Sequence, residues 1–106
     1  MLFELREYHA QPGKRDTLVR LMEEQIIPMQ VQAGMVILGS FVGEDSPDNY
    51  VWLRRFENEA ERVRLYEAVY QSDRWKNEIA PLLPDLMQRE KMRVTRLVPT
   101  PRSPIQ

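Results

Sequence analysis

The spacing of apolar positions changes along the chain, and each change predicts an element. Residues 2–10 alternate between apolar and polar up to Pro12-Gly13, which predicts a first strand closed by a turn. From Lys14 to about Gln32, Leu18, Leu21, Met22, Ile26 and Met29 recur at three- and four-residue spacing, the stripe of an amphipathic helix. Pro28 removes a backbone donor within it, so a kink or short break is expected there, and Gly34 supplies a C-terminal stop. Met35 to Val42 is apolar enough for a second strand, residues 43–49 carry loop chemistry, and Tyr50 to Phe56 form an aromatic third strand. Asn58 followed by Glu61 opens a second helix, with Val63, Tyr66, Val69 and Tyr70 on its buried face. Ser72 caps a further helical piece carrying Trp75 and Ile79, which Pro81 and Pro84 interrupt, and Met92 to Val98 is a fourth strand.

The order β-α-β-β-α-β is the ferredoxin-like arrangement, an α+β fold in which a four-stranded antiparallel sheet carries its helices on one face. One domain is expected over residues 1–98, followed by a proline-rich tail, 99–106, that should run extended or disordered and be dispensable for folding unless it packs across the dimer. Strand parity then divides the sheet. Phe3, Leu5, Val51 and Leu53 share one side and offer an aliphatic seat for the helices. Glu4, Arg6, Tyr8, Tyr50, Trp52, Arg54 and Phe56 share the other, which is thereby expected to be open. Each aromatic covers about 150–250 Å² when buried, so an open face with four of them calls for a cover. The simplest cover is a second copy, giving a homodimer through the open sheet face.

Composition narrows the function. Fifteen basic and sixteen acidic residues are interspersed, for a net charge of −1, so nucleic acid and membrane surfaces lose their electrostatic attraction. The absence of cysteine excludes disulfides, thiolate metal sites and a cysteine nucleophile. With one histidine, His9, no histidine-rich metal centre can form within a monomer, and no metal or cofactor is predicted. The glycines are scattered, without a phosphate loop or dinucleotide fingerprint. No apolar run is long enough to span a bilayer, and no signal sequence opens the chain, so a cytoplasmic location is expected.

The candidate site is Glu4, Arg6, Tyr8, Trp52 and Arg54: two cations, a carboxylate, a phenol and an indole on one sheet face. This mixture suits a cavity for a flat or anionic organic ligand, with arginine as a carboxylate partner and aromatics as walls. It also suits, and more simply, an ion pair between Glu4 and an arginine held for register and pairing. His9, by parity on the other side and near the strand end, reads as structural or solvated.

Glu4-Leu5-Arg6-Glu7-Tyr8 followed by Pro12-Gly13-Lys14 resembles the opening of the NIPSNAP family. The similarity continues through Gly39, Phe56-Glu57-Asn58 with Arg62, and Asp73-Arg74-Trp75, over roughly residues 3 to 98. The resemblance implies a dimeric α+β barrel with two sheets facing each other, and a family without a settled activity. Related barrels include cofactor-independent monooxygenases, haem-degrading enzymes and small isomerases. Many relatives are expected to carry tryptophan where this chain has Arg54, the aromatic here standing at Trp52. Two readings stay open: a homodimer binding or transforming a small aromatic, carbonyl or anionic compound, and a non-catalytic interaction dimer.

Overall fold

A computed structural model describes residues 1–106, with elements in the predicted order. Strand β1 is Leu2–His9, β2 Val36–Val42, β3 Asn49–Phe56 and β4 Arg93–Leu97. They form one antiparallel sheet in the order β2-β3-β1-β4, the ferredoxin-like order. Helix α1 is Arg15–Leu21 and α2 is Ile27–Ala33, joined without interruption by a π-turn at Met22–Ile26. The expected break at Pro28 takes this form: the wider turn lies just before the proline, so the irregular stretch of the helical run falls where proline lacks its N–H. Gly34 closes α2 with φ of 112°, in the left-handed region that favours glycine.

Helix α3, Glu59–Tyr70, starts as its sequence predicts. The Asn58 side chain accepts from the Glu61 N–H at 2.8 Å, and the Glu61 carboxylate accepts from the Glu57 N–H at 3.1 Å. Leu65 and Val69 are its buried residues; Tyr66 and Tyr70 are half-buried, and Val63, expected inside, is exposed. Ser72 Oγ accepts from the Trp75 N–H, opening a π-turn at Trp75–Ile79 that passes into a 3₁₀ segment, Ala80–Asp85. The chain is then tied to the end of β1: Gln11 N–H donates to the Leu86 carbonyl at 2.8 Å and Gln88 N–H to the His9 carbonyl at 2.7 Å.

The two faces of the sheet are occupied the other way round from the parity reading. Tyr8, Tyr50 and Trp52 are buried against Leu18, Leu21, Met22 and Ile26 of the first helix and against Ile79 and Met87. Phe56 is buried against Met35, Leu65 and Val69. Glu4 and Arg54 lie among these residues at 2% and 0% exposure. The side holding Glu4, Arg6, Tyr8, Trp52 and Arg54 is therefore covered by the chain's own helices, and a second copy cannot pair through it. The reason is that polar groups can be buried when they are bonded to one another, so an aromatic–polar set can form a core.

The open face is the aliphatic one. It carries Phe3, Leu5, Val51 and Leu53, joined by Leu97 across β1 and by Val36 and Phe41 across β3. A bulge at Leu38 keeps Phe41 on this side, opposite Val51. The Phe41 ring lies across Gly39, where an added Cβ would come within 2.4 Å of it, and the residue is 58% exposed. The tail is not extended. It turns at Pro101-Arg102 and returns over this face, so that Pro99, Ser103 and Ile105 share a groove with Phe3 and Leu53. Arg55 Nη1 donates to the Gln106 carbonyl at 2.6 Å, and the Gln106 amide donates to Ser103 and Thr100 carbonyls at 2.7 and 3.2 Å. No helix is long and apolar enough to cross a membrane.

Candidate functional site

Register brings the predicted site residues together. Glu4 pairs with Arg54 and Arg6 with Trp52 between β1 and β3, and Tyr8 lies on the same side of β1. The two arginines, two strand positions apart in register, have different surroundings.

Arg54 is fully enclosed and fully engaged. Its Nε donates to Glu4 Oε1 at 2.7 Å, Nη1 to Gln30 Oε1 at 2.9 Å and to the Tyr70 hydroxyl at 2.8 Å, and Nη2 to the Tyr66 hydroxyl at 2.5 Å. Its guanidinium carbon lies 4.9 Å from the Trp52 ring centre and 4.8 Å from that of Tyr66. Tyr66 donates in turn to the Glu4 carboxylate at 2.7 Å. Burial pushes the Tyr66 hydroxyl up, and its bond to Glu4 raises it further against the pull of Arg54, so the phenol keeps the proton it donates. The pair expected of Glu4 with an arginine thus exists, within one chain.

Arg6 is half-buried and has no carboxylate partner, because Glu4 is held by Arg54, with Arg62 at 3.9 Å. Its Nε donates to the Tyr8 hydroxyl at 3.0 Å, Nη1 to Tyr66 at 3.3 Å, and Nη2 lies 3.7 Å from the Met92 sulfur. Its guanidinium carbon is 5.7 Å from the Tyr8 ring centre and 5.8 Å from that of Trp52. Burial and, after it, Arg54 work against the Arg6 charge, but the Tyr8 and Tyr70 oxygens together outweigh them and the pKa is raised.

Arg6 and Tyr8 line a cavity of about 170 Å³ between β1 and the segment that follows α3. Tyr70 and Trp75, in edge-on contact at 4.7 Å, form another wall; Leu83, Pro84 and Met87 cover it, with Arg89 and Met92 at the exposed side. The bonds that tie Leu86 and Gln88 to β1 hold this cover in place. Of the five predicted residues, Arg6 and Tyr8 face the cavity, whereas Glu4, Trp52 and Arg54 lie outside its lining. Besides the wall residues Trp75, Met87 and Arg89, the sequence reading left Gln30, Tyr66 and Tyr70 out of the site. The signal of these last three was present: Tyr66 and Tyr70 sit one helical turn apart on α3, and Gln30 is a polar residue facing inward on α2. His9 is at the strand end, its Nδ1 3.2 Å from Asp48 Oδ1, and is not part of the cavity lining.

Known proteins give the fold and the family. The NIPSNAP family model matches residues 3–104. A crystal structure of a NIPSNAP family protein with unknown function from Agrobacterium tumefaciens is similar with a TM-score of 0.87 and 21% identity, covering 100% of this chain and 94% of that one. An uncharacterized NIPSNAP domain protein from Burkholderia xenovorans is similar at 0.84 and 18% identity, over 98% and 99% of the two chains. A structure described as an antibiotic biosynthesis monooxygenase shares the fold at 0.68 and 16% identity, over 95% and 100%. No curated protein matches the sequence.

Proposed function

The chain belongs to the NIPSNAP family, and we propose that it binds a small, flat, anionic or carbonyl-bearing organic compound in the cavity beside β1. The observation that carries this reading is Arg6. A half-buried guanidinium without a counter-ion, on the wall of an aromatic cavity, is a built place for a ligand anion. Within the five-residue candidate site, Arg6 and Tyr8 meet the ligand, while Glu4 and Arg54 brace the wall from behind and Trp52 packs against both arginines. The same cavity serves a carrier or a cofactor-independent oxygenase or isomerase.

The working unit is a homodimer formed through the aliphatic sheet face. Phe41, Leu97 and Val36 are 58%, 42% and 38% exposed there, beside half-buried Leu5, Val51 and Leu53. Apolar exposure of this extent is unusual on a soluble monomer, although Arg55 stands between Val36 and Phe3 and Glu7 beside Val51. A pure interaction dimer is the second reading, favoured by the completeness of the Glu4–Arg54 pairing, which leaves those two residues nothing to bind.

Native mass spectrometry of the purified protein tests both levels. The expected result is about twice the chain mass with a small molecule retained, and loss of the small molecule in Arg6→Met with the doubled mass intact. A ligand-free dimer that takes up no aromatic or carbonyl acid supports the interaction reading instead.

A further inference from the structure

We propose that the cavity is an oxyanion site: it takes a one-ring compound in its ionised form, a phenolate or an enolate, and thereby makes the bound compound more acidic. The inference rests on the cavity reading above and adds the charge state of the ligand.

The reason lies in the direction of the hydrogen bonds. A tyrosine hydroxyl has one proton to give and lone pairs to receive. Tyr8 receives from Arg6 Nε at 3.0 Å, and Tyr70 receives from Arg54 Nη1 at 2.8 Å and Gln30 Nε2 at 3.1 Å. Neither donates a hydrogen bond within the chain, so each has a proton left to give. Tyr66, which does not line the cavity, is the contrast: its proton is committed to Glu4. Arg6 can only donate. The carbonyls of Pro84 and Met87 in the cover are already met by Gln11 Nε2, at 3.2 and 3.4 Å. No aspartate, glutamate, asparagine or glutamine lines the cavity. Every polar side chain of its wall therefore has a proton to give, and the side-chain oxygens there, those of Tyr8 and Tyr70, already receive from arginine.

A neutral phenol or enol placed there finds no side-chain acceptor for its own proton other than a phenol oxygen that already receives from arginine, whereas its conjugate base meets the donors of Arg6 and Tyr8. Donors grouped around one charge favour the charged form. On binding, the ligand O–H bond breaks, its electron pair stays on oxygen and the proton passes to bulk water. Size limits the ligand to a single ring: about 170 Å³ is close to the roughly 150 Å³ known to admit benzene.

The test uses 4-nitrophenol, whose phenolate absorbs at longer wavelength than the phenol, and 4-nitroanisole, which has the same ring and cannot ionise. At a pH where free 4-nitrophenol is mostly protonated, adding the protein should produce the phenolate band. The apparent pKa of the bound probe should fall by about one unit, which is tenfold tighter binding of the ionised form. Arg6→Met and, independently, Tyr8→Phe should each shrink that shift, with thermal melts showing that both variants are folded. Equilibrium dialysis that finds 4-nitrophenol bound but still neutral, or 4-nitroanisole bound as tightly, overturns the oxyanion site and leaves the cavity reading standing. Retention of neither probe removes both. A shift untouched by either variant places ionisation away from this cavity and also overturns the proposal.

Discussion

The two faces of the sheet have the opposite relation between polarity and burial from the one simple patterning suggests. The helix-covered face contains Glu4, Arg54 and the phenols of Tyr8 and Tyr50, while the face away from the helices, crossed in part by the tail, is built from Leu5, Val51, Leu53, Val36 and Phe41. Polar atoms on the covered face are nearly all bonded; Trp52 Nε1 is the one buried side-chain nitrogen or oxygen without a partner. Burial of a charged group is tolerable when its hydrogen-bonding capacity is filled. An aliphatic strand face, for its part, requires covering but does not say by what. Parity therefore separates the faces correctly and leaves their occupants undecided.

The comparison breaks most sharply at Arg54. Arg54→Met leaves the Glu4 carboxylate enclosed with Tyr66 as its close partner, and should cost about 3–5 kcal/mol in denaturant unfolding. Removing both charges, as in Glu4→Leu with Arg54→Met, should cost less than the single change, because no buried charge is then stranded. A double variant as unstable as the sum of its parts would show that the ion pair is not the unit. The open face has a different signature. Phe41→Asp, at an exposed position, should leave the melting temperature close to wild type yet shift sedimentation at micromolar concentration from about twice the chain mass to 12.6 kDa. An unchanged mass would remove that face from the assembly.

Intermediate effects fall on Arg6 and the tail. Arg6→Met breaks the hydrogen bonds to Tyr8 and Tyr66 but strands no carboxylate. About 1 kcal/mol of stability is at stake, against a roughly tenfold loss of anionic-ligand affinity by calorimetry. Equal losses in Arg6→Met and Arg54→Met would mean that the two arginines are not distinct. Deleting residues 99–106 uncovers Phe3, which is 4% exposed with the tail in place, and should cost about 1–2 kcal/mol after the entropy of ordering the tail is deducted.

Element order and type were legible because they depend on local signals: the Asn58 cap, the Gly34 stop, the apolar period from Leu18 to Met29. The membership of the site was partly legible, since the residues that meet across β1 and β3 share strand parity. Which arginine pairs with Glu4 was not. That choice is made by Tyr66, 62 positions from Glu4, and by Gln30, 24 positions from Arg54, on two different helices. The tail was misjudged for a related reason. Its three prolines argue against a strand, but its fold-back depends on Arg55 and on Phe3 and Leu53, all distant in sequence.

The smallest expected effect is at His9, and it serves as the control for the whole assignment. The imidazole is 36% exposed at the end of β1, and its contact is with Asp48, which also receives the Ser46 hydroxyl at 2.9 Å. The Asp48 carboxyl is held below its ordinary value, first by Ser46 and then by His9. A depressed carboxyl contributes stability above its unfolded-state pKa and loses it as pH falls through the lowered folded value. The Asp48 contacts therefore contribute above that lowered value and fade as pH falls through it. His9→Gln retains a side chain able to donate to Asp48, and Ser46 keeps its own bond, so the change should stay within about 0.5 kcal/mol of wild type near neutral pH. The difference between the two proteins should narrow further in acid. Parallel melts of His9→Gln and Arg6→Met give the comparison directly. A His9 variant that is the more damaging of the two, in stability or in ligand binding, would mean that the chemistry lies at the end of β1 and not against its middle.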